Sequence, residues 1–145
     1  MARAPIARAF EVEDSIFTKI IRREIPAAIV YEDDATIAFM DAGQVNPGHV
    51  LVATKQPAET LLDIDDALAA HLFTVVARVA RAVEVAFAPQ GITVLQTNRP
   101  AGWQTVPHLH VHVLPRHAGD GVELVWPRKG PPLAVLQEYA ARIVL

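Results

Sequence analysis

Three histidines alternate along His108-Leu109-His110-Val111-His112-Val113-Leu114. Alternation within an apolar run is the period of a β-strand, whose successive side chains point to opposite faces. His108, His110 and His112 then share one face, with neighbours about 6.6 Å apart. Leu109, Val111 and Val113 share the other. Burying three adjacent imidazoles without partners costs free energy, so this face must meet an anion, a metal or water. Two chemistries suit it. A row of imidazoles binds a transition metal, because histidine is the commonest metal-binding side chain. It also supplies a nucleophile flanked by positioned donors, the arrangement that phosphoryl chemistry needs. The bland alternative is a surface strand that merely carries histidine. With only six histidines in the chain, three in five positions is more clustering than chance gives.

Such a strand needs a sheet and a covering helix. Asp14 or Ser15 can cap a short helix that carries Ile16, Phe17, Ile20 and Ile21 on one side, with Pro26 as its latest end. Ala28 to Glu32 reads as a strand, Asp33-Asp34 as a turn, and Thr36 to Met40 as a second strand. Gln44 to Gly48 is a loop with Pro47-Gly48 as its turn signal, and His49 to Ala53 is a third strand. Asp65-Asp66 opens the longest periodic segment. Leu68, Leu72, Val75, Val76, Val79, Val83 and Phe87 follow helical spacing, and Arg78, Arg81 and Glu84 fall largely opposite. Pro89 and Gly91 end it. Ile92 to Asn98 and Pro107 to Pro115 read as the fourth and fifth strands, joined by a segment that Gly102 makes pliable. Gly119 to Pro132 is irregular, and Leu133 to Ile143 is a final helix. The expected fold class is α+β: a five-stranded antiparallel sheet with one long helix on one face and short flanking helices, the histidines lying on the other face.

The composition narrows the classes. A length of 145 residues is that of one domain, read as an N-terminal arm over 1–14 and a single domain over 15–145. A net charge of −3 gives no electrostatic argument for nucleic acid. The absence of cysteine excludes disulfides and thiolate metal ligands, and it fits a cytoplasmic protein. No apolar run approaches the ~18 residues that span a bilayer, and residues 1–10 lack the apolar core of a signal peptide. Neither a nucleic acid nor a membrane is an expected partner.

With these residues in view, the chain resembles the histidine triad family, and within it the Hint branch and its bacterial relatives. The alternating motif from His108 to Leu114 is the family's signature. Ser15-Ile16-Phe17-Thr18-Lys19-Ile20 with Glu24-Ile25-Pro26, Tyr31-Glu32-Asp33, Ala38-Phe39-Met40-Asp41, Pro47-Gly48-His49-Val50-Leu51-Val52, Asn98 and Gln104-Thr105 match in order and spacing. The resemblance implies a nucleotide hydrolase or transferase acting at the α-phosphate of purine nucleotides, like a nucleoside phosphoramidase, through a covalent nucleotidyl-histidine intermediate. Dinucleoside polyphosphate hydrolysis is the alternative within the enzyme class. A non-catalytic nucleotide-binding module and a metal-binding protein are the alternatives outside it.

The resemblance also distributes roles. His110 falls on the nucleophile, with the main-chain carbonyl of His108 as acceptor for its other nitrogen. His108 and His112 flank it, and His112 contacts the phosphate. His49 matches a fourth histidine in a proton relay behind the nucleophile, or it is a satisfied histidine beside the turn. Gln104 and Thr105 match polar residues near the leaving group and α-phosphate. Asn98 donates to the phosphate, holds that loop or caps a strand end. Asp41 matches a ribose contact, or is a turn aspartate before Gly43. Ile16, Phe17, Ile20 and Phe39 resemble the wall of a base pocket, and each equally suits ordinary core. His71 and His117 match no role and read as solvent-facing. Trp103 and Trp126 suit the site entrance or a dimer contact. Arg116 suits a phosphate contact or a solvated rim. The family resemblance further implies a homodimer with an intersubunit sheet, consistent with the broad apolar face of the long helix and its small residues Ala69, Ala77 and Ala80.

One departure from the family pattern matters. Many bacterial relatives hold a structural zinc with a Cys-x-x-Cys pair, a later histidine and the first motif histidine. Those positions are here Ser15, Thr18, Pro57 and His108. Hydroxyls and a proline cannot replace thiolates and an imidazole at a closed tetrahedral site. No metal and no cofactor is expected.

Overall fold

The computed structural model describes residues 14–145. The arm expected over 1–14 lies, apart from Asp14, outside the described residues. Helix α1 (Ile16–Ile21) precedes strands β1 (Ile29–Glu32), β2 (Thr36–Met40) and β3 (Val50–Thr54). Helix α2 (Asp66–Phe87) leads to β4 (Gly91–Gln96) and β5 (His110–Arg116), and α3 (Leu133–Ala141) follows. The strands form one five-stranded sheet in the order β1-β2-β3-β5-β4, every neighbour antiparallel. This is the expected α+β class. The motif strand β5 is central, flanked by β3 and β4. It is therefore held along both sides by backbone hydrogen bonds.

Side-chain alternation divides the core in two. Leu72, Val75, Val76, Val79 and Val83 of α2 pack on Ala38, Val50, Val52, Leu109, Val111 and Val113. Each buried aliphatic side chain contributes about 1.5–3 kcal/mol. Asp65 caps α2 by accepting from Leu68 N at 2.8 Å. The other end stops in a left-handed residue, Ala88 at φ 45°, rather than at Gly91, which opens β4. On the opposite face, Phe17 and Ile20 of α1 cover Ile37, Phe39, Leu51 and Ala53. A helix of six residues has no stability of its own, so this packing holds it in place.

Arg116 is tied into the fold. Its guanidinium reaches Asp120 at 2.7 Å, the Val122 carbonyl at 2.6 Å and Thr93 Oγ1 at 3.1 Å. Asn46 adds Nδ2 bonds to the Pro115 carbonyl at 2.8 Å and to Asp120 at 3.0 Å. Together they pin the irregular stretch after β5 to the loop before β3. His71 is half exposed, yet its Nε2 lies 2.8 Å from Asp33 and ties α2 to the β1–β2 turn. No helix among the described residues is long and apolar enough to cross a membrane.

Gly48 sits where the chain enters β3, at φ 95°. A Cβ added there meets the Phe87 ring at 2.6 Å. Gly48→Ala therefore brings both a disfavoured backbone and a clash. It should destabilise the fold by about 1–3 kcal/mol, read as a lowered urea midpoint. A midpoint equal to wild type would show that neither constraint operates.

Candidate active site

A cleft of about 590 Å³ opens between α1 and the sheet face that α2 leaves uncovered. Its walls include Ile16, Phe17, Ile20, Phe39, Asp41, Thr105, His110 and His112. Eight of the residues expected at the site thus meet around one space. His110 and His112 face it from adjacent inward positions of β5, opposite Ala53 and Leu51 of β3. Phe17 sets its ring edge-on to His110, centroids 4.9 Å apart.

The hydrogen-bond partners assign the tautomers. His110 Nδ1 lies 2.6 Å from the His108 carbonyl. A carbonyl only accepts, so Nδ1 carries the proton and Nε2 keeps its lone pair. His49 Nε2 lies 2.9 Å from His112 Nδ1 and 3.6 Å from Asp41 Oδ2. His49 Nδ1 is buried without a partner. A buried orphan N–H is rarer than a buried orphan acceptor, and the nearby carboxylate favours a proton on Nε2. His49 Nε2–H therefore donates to His112, which leaves the His112 proton on Nε2. Two rings of opposite character line the cleft: His110 with a lone pair, His112 with an N–H.

Burial pushes all four imidazoles below their ordinary value of 6.5. His112 falls to about 4, through burial first and then the neighbouring His110 and His49 rings. The site is a set of neutral imidazoles at physiological pH.

Four expected residues lie elsewhere than in the cleft wall. The β5 ladder begins at His110, so His108 stands before the strand. Its ring turns beneath α1, with Nε2 2.6 Å from the Thr54 carbonyl and Nδ1 2.9 Å from Ser15 Oγ. His49 bonds to His112. Asn98 accepts from Leu61 N at 2.8 Å and exchanges bonds with Gln96. Gln104 accepts from Arg99 N and donates to the Glu59 carbonyl, both at 2.6 Å. These two amides brace the loop that carries Thr105. The loop needs bracing, because Arg99 (φ 65°) and Trp103 (φ 74°) hold left-handed backbone, which costs about 1–3 kcal/mol each. Trp103 and Trp126 are both largely exposed and outside the cleft wall.

Two supporting residues had no role beside the nucleophile assigned from the sequence. Gln44 donates to the carbonyls of Asp41 and His49 and accepts from Gly48 N, so it locks the Asp41–His49 loop. Nothing in a short polar loop singles it out. Ser15 was legible only as a helix cap.

A family model for the HIT domain matches residues 22–119. The chain belongs to the HIT family. Protein hit of Bacillus subtilis is 43% identical over 115 residues, 79% of each chain. A crystal structure of a HIT family protein from Bacillus subtilis superimposes with a TM-score of 0.84 at 37% identity, covering 92% of this chain and 99% of that one. The histidine triad nucleotide-binding protein of Candida albicans gives a TM-score of 0.81 at 27% identity, covering 89% and 94%.

Ser15, Thr18, Pro57 and His108, the positions of the zinc set in many bacterial HIT relatives, do meet around one small crevice. The donors there do not fit zinc. Among the described residues the crevice offers one imidazole nitrogen, His108 Nδ1, which already accepts from Ser15, and one carboxylate, Asp14, which is paired with Arg22. Asp41, His49 and His112 bring potential ligand atoms within 4.8 Å of one another. The facing nitrogens of His49 and His112 are hydrogen-bonded together.

Neutral imidazoles make the HIT fold sensitive to acid. Each ring regains its ordinary 6.5 on unfolding, so below that pH the unfolded chain binds more protons and is favoured. Stability should be full above about 6.5 and decline as pH falls towards about 4, the span of the His112 shift. Asp33, where hydrogen bonds from Ala35, Tyr31, His71 and Thr36 outweigh the penalty of burial, adds its loss only below its ordinary 3.8. Urea unfolding across that range checks this. A flat profile would contradict four neutral rings.

Proposed function

We propose that this HIT protein is a nucleotidyl hydrolase or transferase that acts at the α-phosphate of a purine nucleotide, in the manner of a nucleoside phosphoramidase. The observation that carries the reading is the tautomer of His110. Its Nδ1 proton is committed to the His108 carbonyl at 2.6 Å, so the free nitrogen is Nε2, on a ring that lines the cleft. A neutral imidazole nitrogen is a competent nucleophile near pH 7.

In this mechanism His110 Nε2 attacks the α-phosphorus. A phosphorus–nitrogen bond forms and the bond to the leaving group breaks. The ring gains positive charge as it attacks, and the His108 carbonyl, already bonded to Nδ1–H, stabilises that charge. His112 Nε2–H donates to a phosphoryl oxygen, and His49 keeps it in the donating tautomer. Donors placed in advance where charge develops are worth several kcal/mol at a buried site, of the order of ~3 for one donor. Water then releases the nucleotide from His110.

The rest of the cleft follows from that position. Asp41 lines the wall and is held by Gly43 N at 2.7 Å; its carboxylate accepts from the ribose hydroxyls. Ile16, Phe17, Ile20 and Phe39 form an apolar slot for a flat base. Thr105 faces the phosphate and leaving group, on the loop that Asn98 and Gln104 brace. The metal reading of the histidine row is the weaker one, since the nitrogens of these rings are committed to hydrogen bonds or to the cleft.

His110→Ala should lower turnover of adenosine 5′-phosphoramidate by at least about a thousandfold. AMP affinity should stay within a few-fold of wild type. Wild-type-like turnover by this variant would overturn the mechanism, and tight AMP binding without turnover in the wild type would favour a binding module.

The protein further forms a homodimer in this reading. Among the described residues no strand pairs with the outer edge of β4, Val94 there is half exposed, and Val85 of α2 is 85% exposed. Light scattering at micromolar concentration should give twice the chain mass. A clean monomer would contradict it.

A further inference from the structure

We propose that Ser15 is a positioning residue for the nucleophile: through His108 it sets the carbonyl that orients His110. The inference rests on the reading of His110 as nucleophile and extends it to the helix that closes the cleft.

His108 is 2% exposed, and both its ring nitrogens are engaged. The Thr54 carbonyl, 2.6 Å from Nε2, requires the proton there. Nδ1 is then a buried acceptor, costly to leave unmade. Ser15 Oγ, at 2.9 Å, is its donor. Thr18 Oγ1, at 3.5 Å, is at the limit of such a bond. The same Ser15 oxygen accepts from Thr18 N at 3.2 Å, capping α1. One hydroxyl thus fastens the start of α1 and the ring of His108 at once. The main chain of that histidine continues the path. Leu109 N donates to the Ala58 carbonyl at 2.7 Å, which sets the tilt of the His108–Leu109 peptide. The ring bonds set its depth under α1. Its carbonyl then meets His110 Nδ1.

The arrangement has a second arm. Phe17, two residues after Ser15, lies edge-on to both His108 and His110. A shift of α1 therefore reaches the nucleophile twice, through the carbonyl and through the Phe17 ring. A misplacement of about 1 Å at a reacting group costs up to ~100-fold in rate.

Three variants test this. Ser15→Gly and Ser15→Ala both lack the hydroxyl that donates to His108; glycine keeps a usable cap at a cost of only a few tenths of a kcal/mol, and alanine costs about 1 kcal/mol more. Ser15→Thr retains both functions. For Ser15→Gly and Ser15→Ala, kcat on adenosine 5′-phosphoramidate should fall roughly 10- to 100-fold with KM little changed. Ser15→Thr should restore it. The Nδ1–H resonance of His110 should move or broaden in the first two and persist in the third. If the glycine variant does not fold, the alanine variant answers the same question. Wild-type kcat and an unmoved His110 resonance in the donorless variants would overturn the proposal, as would a loss of kcat that threonine does not rescue. If the wild type itself turns over no phosphoramidate, the functional reading fails, and the His110 resonance alone decides whether Ser15 positions that ring.

Discussion

A main-chain carbonyl decides which nitrogen of His110 meets a substrate. The His108 oxygen, 2.6 Å from His110 Nδ1, accepts a hydrogen bond from the one N–H of a neutral ring and so fixes the lone pair on Nε2. Everything around this bond keeps it in register. The sheet anchors His110 between β3 and β4. Thr54 and Ser15 hold the ring of the residue that owns the carbonyl. Burial keeps both rings neutral, without which the distinction between the two nitrogens would vanish. A second imidazole pair, His49 and His112, is arranged in the opposite sense and offers an N–H where His110 offers a lone pair.

The division of the sheet makes this possible. The α2 face is a continuous aliphatic layer that supplies the burial energy of the fold. The opposite face is only partly covered, because α1 has six residues and ends before it spans the strands. The uncovered remainder is the cleft. A longer helix there would bury more apolar surface and close the site. The same short helix carries Ile16, Phe17 and Ile20, so the wall of the cleft and its cover are one element.

Much of this was legible in the residues. Strand period placed His110 and His112 on one face and Val111 and Val113 on the other, because central strands enforce alternation. Helical spacing marks the buried face of α2 and Asp65-Asp66 its start, and Asp14 or Ser15 reads as the cap of α1, because such signals are local chemistry. What was not legible depends on partners far away in the chain. Nothing near His108 in sequence shows that it leaves the ladder to bond Ser15, 93 residues away. Gln104 reads as a polar group for a phosphate, yet its amide is occupied by the backbone of Arg99 and Glu59; for Asn98 the hydrogen bonds match the loop-holding alternative, through Leu61 N and Gln96. Arg116 finds Asp120 four residues on, a pairing that an irregular tail does not announce. The partner of His49 was the least accessible, since reading it as a relay histidine does not say which ring it touches.

The central claim is that nucleotidyl transfer passes through His110 Nε2. Rapid mixing of wild-type protein with adenosine 5′-phosphoramidate, an alkaline quench and peptide mass analysis tests it most directly. The account predicts an adenylyl group on the peptide that carries the motif, attached at His110 and absent when the substrate is omitted. Release of AMP with no adduct at any time in the first turnover, or an adduct on His112 instead, would contradict it.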